Sequence, residues 1–301
     1  MKIVLAGATG FLGRPLVDRL AAHGHELVVL SRRADAAGAA RTIEWNPAGP
    51  PGPWTAELDG AGAVINLAGE SIAGARWTDA HKRRVLESRV AATRSLAAAI
   101  RGAAHPPPVF ISGSAVGYYG ARGDEILTED STAGGDFLAR VCIQWEAEAG
   151  GAAPDTRVVC VRTGVVLERD GGALRQMLLP FRIGIGGPVG SGRQWWPWIH
   201  REDWLELVCW ALDAPGLSGA LNATAPEPVT NRTFARELGR ALHRPSFMPT
   251  PAFALRLALG EMADALLLSG QRAVPAKAER LGFRFRYPRL AEALTAIFRQ
   301  R

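Results

Sequence analysis

The chain has 301 residues, 48% of them hydrophobic, with a mean hydropathy of +0.02 and a formal net charge of +6. That suffices for one large globular domain or one and a half, and no apolar run reaches the ~18 residues of a membrane span, so no membrane partner is expected. Nor does the charge form a nucleic-acid stripe: lysine occurs only at positions 2, 82 and 277, and the arginines are spread over the whole length. Cys142, Cys160 and Cys209 lie far apart without metal or C-x-x-C spacing, as buried thiols of a reducing cytoplasm would.

Lys2 to Ala6 reads as a buried strand, and Gly7, Gly10 and Gly13 follow it at G-x-x-G-x-x-G spacing into a helical pattern from Phe11 to about His23. Gly7 suits a sharp exit from the strand, Gly10 a bare backbone against a pyrophosphate, and Gly13 close packing of helix on sheet. The helix N-terminus adds unpaired N–H groups and a positive dipole end. The whole turn, with Thr9, Phe11 and Leu12 between the glycines, is therefore a candidate dinucleotide site. A second strand, Glu26 to Leu30, ends in Ser31-Arg32-Arg33, where an NAD-selective site carries Asp or Glu for the ribose 2′-hydroxyl. Ser31 and Arg32 instead suit a 2′-phosphate, which predicts NADP (NADPH) in preference to NAD.

The Ala-, Gly- and Pro-rich stretch 34–62 holds one strand, Thr42 to Trp45. The next, Ala63 to Asn66, runs into Leu67-Ala68-Gly69-Glu70, small enough to let a cofactor approach. Asp79 to Arg101 is a long helix with Leu86, Val90, Thr93, Ala97 and Ile100 as its buried stripe. Arg89 flanks that stripe and is either a solvated arginine or a ligand contact. Strand Val109 to Ile111 leads into Ser112, Ser114, Tyr118 and Tyr119, a plausible catalytic edge.

These residues carry a resemblance. NLAGESI (66–72), SGSAVGYYG (112–120), GGDFLARVCIQWE (134–146), VRTGVVL (161–167), GGPVGSGRQWWPWIH (186–200) and LLLSGQRAVP (266–275) resemble the extended short-chain dehydrogenase/reductases. More closely, they are similar to an atypical branch, the YfcH-like epimerase family proteins. The resemblance implies a Rossmann α/β fold, with a doubly wound, mostly parallel sheet and a smaller mixed C-terminal substrate domain. Residues 1–245 would form the cofactor domain, with those after about 168 shared with the substrate subdomain, and 246–301 a family-specific C-terminal domain. It adds Arg89, Ser112, Arg162 and Val166 to the cofactor contacts.

The wider superfamily works with a Ser, a Tyr and a Lys four residues beyond it. Here no tyrosine and lysine stand four apart; the matching helix positions hold Leu138 and Cys142. Ser114 keeps the serine position, and Tyr118, Tyr119 or a desolvated Glu70 is left to move a proton. Two functions stay open: an NADP(H)-dependent epimerase or oxidoreductase acting on an unknown small molecule, or a non-catalytic NADP(H)-binding sensor or regulator. Either would be a monomer or homodimer.

Further on, Val158 to Arg162 is a strand and Ala173 to Ile183 a helix. The glycine-rich loop 184–192 and Trp195, Trp196 and Trp198 form a pocket edge or a seam between subdomains, with the pocket edge favoured. His200 joins strand to helix, more as a structural than a catalytic group, and Asp203 is read as the N-cap of helix Trp204 to Leu212. Leu221 to Ala223 is a strand and Thr230 to Leu242 a helix. Pro245 to Pro251 is a linker, and Ala252 to Leu268 reads as one apolar helix. The alternation from Arg280 to Arg289 suggests a strand, and Leu290 to Phe298 a closing helix.

Overall fold

The computed structural model describes residues 1–33 and 40–299. The first half alternates strand and helix: β1 (Lys2–Ala6), α1 (Gly13–Ala22), β2 (Glu26–Ser31), β3 (Arg41–Glu44), β4 (Ala63–Asn66), α2 (Asp79–Gly102), β5 (Val109–Ala115), β6 (Ile126–Leu127), α3 (Phe137–Ala149) and β7 (Arg157–Thr163). Side-chain caps fix where helices begin. Thr78 accepts the N–H of His81 at the start of α2, and Asp136 that of Ala139 at the start of α3. The second half adds β8 (Val165–Leu167), α4 (Gly172–Arg182), β9 (Trp195–Trp196), β10 (Trp198–His200), α5 (Arg201–Asp213), β11 (Gly219–Ala223), β12 (Val229–Thr230) and α6 (Asn231–Ala241). It closes with α7 (Ala252–Leu259), α8 (Glu261–Ala263), β13 (Arg272–Ala273), α9 (Ala276–Arg280) and α10 (Leu290–Arg299).

Seven strands form one parallel sheet in the order β11-β7-β5-β4-β1-β2-β3. The chain winds outward from β1 through β2 to β3, then crosses back to β4, so the topological switch lies between the C-terminal ends of β1 and β4. Helices α1 and α5 cover one face with Leu16, Leu20, Trp204 and Leu207, and α2 covers the other with Ala92, Leu96 and Ile100. A third cluster packs Leu174, Leu178 and Phe181 of α4 and Phe234 and Leu238 of α6 against Leu290, Leu294 and Ile297 of α10. Each such fully buried side chain contributes about 1.5–3 kcal/mol.

Several sequence expectations change. The buried stripe of α2 keeps Thr93, Ala97 and Ile100 as expected, but its first half is rotated by one residue: Val85 and Arg89 are buried, while Leu86 and Val90 are half-buried. Arg89 therefore lies in the core seam rather than beside it. The stretch 252–268 is not one helix: Gly260 at φ +63° breaks it, and residues 264–268 close in a π-turn. Asp203 is not a cap, because α5 starts two residues earlier under His200, whose Nδ1 accepts the N–H of Glu202 at 3.0 Å. Asp203 instead accepts the N–H groups of Arg286 and Tyr287 at 2.7 and 2.9 Å. That clamp explains the 280–289 segment: Phe283, Phe285 and Tyr287 alternate inward as expected, yet no neighbouring strand among the described residues pairs with it.

Trp196 and Trp198 are buried in the third cluster, and only Trp195 is half-buried. A Cβ on Gly187 would sit 2.1 Å from the carbonyl oxygen of Met248. The glycine loop and tryptophans thus form a seam between the sheet's extension and the C-terminal segment.

Candidate functional site

The glycine turn does what its spacing requires. Gly7 has φ +85°, and a Cβ there would sit 2.5 Å from the backbone carbon of Leu67, just beyond the ends of β1 and β4. A Cβ on Gly13 would lie 2.2 Å from the carbonyl oxygen of Gly7, so α1 seats directly on the turn. Gly10 is exposed, and a Cβ there would meet nothing nearer than 3.7 Å, which leaves bare backbone facing the crevice. No side chain caps α1; the Arg14 N–H donates to the Gly10 carbonyl at 3.2 Å and Pro15 has none, so the donors left for an anion are those at the turn before them, Phe11 to Gly13. Thr9 is exposed and Leu12 half-buried beside it. The Phe11 ring turns away, wedged against Gly171 and Gly172 with the Arg201 guanidinium 5.4 Å from its centroid.

On the far lip, Ser31 is half-buried at the end of β2 and its Oγ accepts the N–H of Arg33 at 3.2 Å. Its own O–H stays available to donate, and the Arg32 side chain is exposed beside it. Leu67 and Ala68 line the lip after β4; the N–H of Ala68 donates to Asn66 Oδ1 at 3.1 Å, which shapes that turn.

Behind it sits Arg89, 8% exposed. Nη1 donates to the carbonyls of Glu70 and Val85, both at 2.9 Å, and the guanidinium lies 5.1 Å from the centroid of the Trp145 ring. Among the described residues no carboxylate stands within ion-pair distance, and burial lowers its pKa. Gly69 makes the passage: a Cβ there would sit 3.1 Å from the Arg89 guanidinium carbon. Glu70 is paired with Arg84 at 3.1 Å and its side chain is 36% exposed, so it is not the desolvated acid considered from sequence.

The catalytic candidates separate. Ser114 Oγ donates to Glu146 Oε1 at 2.6 Å, and Glu146 receives Nε and Nη2 of Arg162, each at 2.8 Å. Arg162 Nη1 donates to the Tyr119 hydroxyl at 3.0 Å, and Tyr119 in turn donates to Asn222 Oδ1 at 2.7 Å. Tyr119 is wholly buried and its phenol is pushed up to about 12, chiefly by burial. Its hydroxyl is committed to Arg162 and Asn222. Arg162 is 4% exposed and enclosed by Glu146 and Tyr119. Ser112 is fully buried with its hydroxyl on the Gly113 carbonyl, and Val166 is buried in β8 beside β10.

Tyr118 differs. It is half-buried, its ring lies on the Arg162 guanidinium at 3.4 Å, and among the described residues its hydroxyl has no hydrogen-bond partner.

Where the superfamily carries its Tyr and Lys, α3 packs instead. Leu138 Cβ would meet a Cβ on Gly117 at 3.2 Å, and Cys142 Sγ donates to the Ala115 carbonyl at 3.5 Å with its thiol pushed up to about 11 by burial. Glu146, four residues further on the same helical face, was not singled out from sequence as a site residue. A lone carboxylate continuing the 138–142 spacing was the available signal. Asn222 and Glu129, joined when Glu129 accepts the Asn222 N–H at 3.0 Å, left no such trace.

The model described as "NAD dependent epimerase/dehydratase family" matches residues 3–222, and a domain of unknown function (DUF1731) matches 250–297. Epimerase family protein SDR39U1 of Mus musculus is 42% identical over 301 residues, covering 99% of each chain. The SDR39U1 homolog, chloroplastic, of Arabidopsis thaliana is 41% identical over 99% of this chain and 86% of its own. The crystal structure of human SDR39U1 (isoform2) with NADPH superposes with a TM-score of 0.90 at 37% identity over all of both chains. With its glycine turn, its seven-stranded parallel sheet and these full-length relatives, the chain belongs to the NAD dependent epimerase/dehydratase family, among the SDR39U1-type epimerase family proteins.

Proposed function

We propose that this chain binds NADP(H) in the crevice between β1 and β4 and is an epimerase- or oxidoreductase-like protein for a small-molecule substrate. The observation that carries it is the bare Gly10 turn and uncapped α1 facing a lip made of Ser31 and Arg32 rather than a carboxylate. The pyrophosphate takes the N–H groups of the turn, and the 2′-phosphate takes Ser31 and Arg32. Arg89, a buried cation with no carboxylate among the described residues, supplies the counter-charge on the far side through its remaining N–H groups. The nicotinamide, when bound, supplies or accepts a hydride. Of the chain's own groups, Tyr118 is the proton donor or acceptor, because its hydroxyl alone of the three catalytic candidates is uncommitted. Ser114 and Glu146 hold the floor under it.

The second reading, binding without turnover, is favoured by Leu138 and Cys142 packed where the usual pair would act. Two measurements decide. NADPH is expected to bind at least tenfold more tightly than NADH, a ratio that Arg32→Ala abolishes; equal binding of both cofactors by the wild type would overturn the 2′-phosphate assignment. The NADPH-loaded protein is then offered a panel of carbonyl compounds, with Tyr118→Phe as control. Oxidation lost in that variant supports the enzyme, oxidation unchanged in it removes Tyr118, and no oxidation favours the sensor.

A further inference from the structure

A cavity lies between α4 and α10. It holds about 540 Å³ between Glu168, Arg169 and Asp170 after β8, Arg175, Leu178, Leu179 and Arg182 of α4, Arg201, and Ile297 of α10, so four arginines face two carboxylates there. The four α4 residues fall at i, i+3, i+4 and i+7, which brings them to one helical face, with the two arginines about 10 Å apart along the axis. Arg201 is already neutralised, at 3.2 Å from Glu168 and 2.7 Å from Asp170. Arg175 and Arg182 have no ion-pair or hydrogen-bond partner for their guanidinium groups among the described residues. Both guanidinium groups are solvent-exposed and uncommitted, and Leu179 between them leaves apolar surface in water, so the site offers an anion two cations and a chain an apolar face.

The apolar floor continues outward. Leu179, 66% exposed, leads to Ile183 and Ile185, at 62% and 48%. The segment after α6 runs alongside: Arg244 donates to the Arg182 carbonyl and Met248 to that of Gly186. It carries Phe247 at 74% exposure and passes into α7, an apolar helix with no buried residue, where Phe253 and Leu257 are 73% and 80% exposed. Among the described residues, seven of the eleven exposed large hydrophobic side chains belong to these two neighbouring stretches. A polar anion such as inorganic phosphate would use the arginines and leave that surface wet. A neutral apolar ligand would leave the arginines unpaired.

We propose that this cavity is a binding site for an anionic amphiphile. A phosphate-type head would lie between Arg175 and Arg182, where guanidinium groups can bind it bidentately, and an apolar chain would run over Leu179 toward Phe247 and α7. The Phe11 wedge, held between Gly171, Gly172 and Arg201, separates this site from the glycine turn, so head group and dinucleotide do not compete. The same chemistry is presented by a soluble alkyl phosphate and by an anionic lipid headgroup.

The test uses the full chain saturated with NADPH and titrates n-octyl phosphate, inorganic phosphate and 1-octanol by calorimetry. Octyl phosphate is expected to bind at least tenfold more tightly than either of the others. The pair Arg175→Glu and Arg182→Glu should abolish that binding while NADPH affinity is unchanged, and Arg236→Glu, on α6, should have no effect. Equal binding of inorganic phosphate, binding unchanged in the double variant, or release of NADPH by octyl phosphate would each overturn the site. Sedimentation with phosphatidylglycerol vesicles, against phosphatidylcholine vesicles, then names the source. Co-sedimentation with the former only, lost together with octyl phosphate binding in Arg175→Glu/Arg182→Glu, assigns a lipid headgroup. Octyl phosphate binding without co-sedimentation assigns a soluble amphiphile.

Discussion

At the scale of single residues, burial decides which polar groups are chemical and which are structural. His200 is 1% exposed, stacks on Tyr287 at 4.1 Å, and uses Nδ1 as the cap of α5. Burial lowers its pKa from 6.5 to about 4, with Arg201 and Arg286 adding to the shift and Glu202 opposing it. Between those values the unfolded chain takes up the proton and the folded chain does not. His200 therefore contributes stability that is complete above pH 6.5 and is lost as pH falls toward 4, at roughly 1.4 kcal/mol per pH unit. Urea melts at stepped pH should show the wild type losing stability across that window faster than His200→Asn, which keeps a cap acceptor; parallel curves would mean the imidazole titrates freely. Glu146 and Arg162 make the converse case, a buried pair whose partners satisfy each other. Removing Glu146 alone, as Glu146→Ala, strands a buried guanidinium and should cost about 3–5 kcal/mol. Glu146→Gln/Arg162→Met should cost less than Glu146→Ala, which chemical denaturation of the two variants would show.

At the scale of elements, helix ends and unpaired segments follow from where backbone N–H groups find acceptors. Asp203 stands in for a missing strand by accepting the Arg286 and Tyr287 N–H groups, and burial pushes its carboxyl up despite those two bonds. Asp203→Ala should strand both donors, at about 1–3 kcal/mol each, and speed amide exchange at Arg286 and Tyr287 without touching the crevice. Unchanged exchange there would show that Phe283, Phe285 and Tyr287 hold the segment by packing alone. The glycine turn is the opposite kind of element, fixed by contact rather than by hydrogen bonds. Gly13→Ala would drive a methyl group into the Gly7 carbonyl, so α1 must lift; loss of NADPH binding with the fold retained by circular dichroism is the expected result.

At the scale of the whole molecule, the C-terminal segment is stitched into the sheet's extension. The third hydrophobic cluster is shared between α4, α6 and α10, β13 pairs with β6, and the Asn222 side chain donates to the Val274 carbonyl at 2.9 Å. A boundary between residues 245 and 246 therefore divides the chain by family pattern more than by core. Thermal unfolding of the full chain should be one transition, and residues 1–245 alone should aggregate with Leu174, Phe234 and Leu238 uncovered. Two resolved transitions would restore 246–301 as a separately folding unit. No helix among the described residues is long and apolar enough to cross a membrane.

Local chemistry alone determined much of this protein. Glycine spacing after an apolar strand specifies the dinucleotide turn because backbone approach and sharp exit are properties of a few neighbouring residues. Strand and helix periods specified the alternating α/β order for the same reason, and the missing Tyr and Lys were legible as simple absences. Tertiary structure decided the rest. Whether Arg89 is solvated or buried depended on a rotation of the first half of α2 by one residue, which the apolar pattern alone did not fix. Whether Tyr118 or Tyr119 keeps a free hydroxyl depended on Arg162 and Asn222, which are 43 and 103 positions from Tyr119 in the chain. Partners at that separation leave no periodic mark on a sequence, because only the packed sheet brings them together.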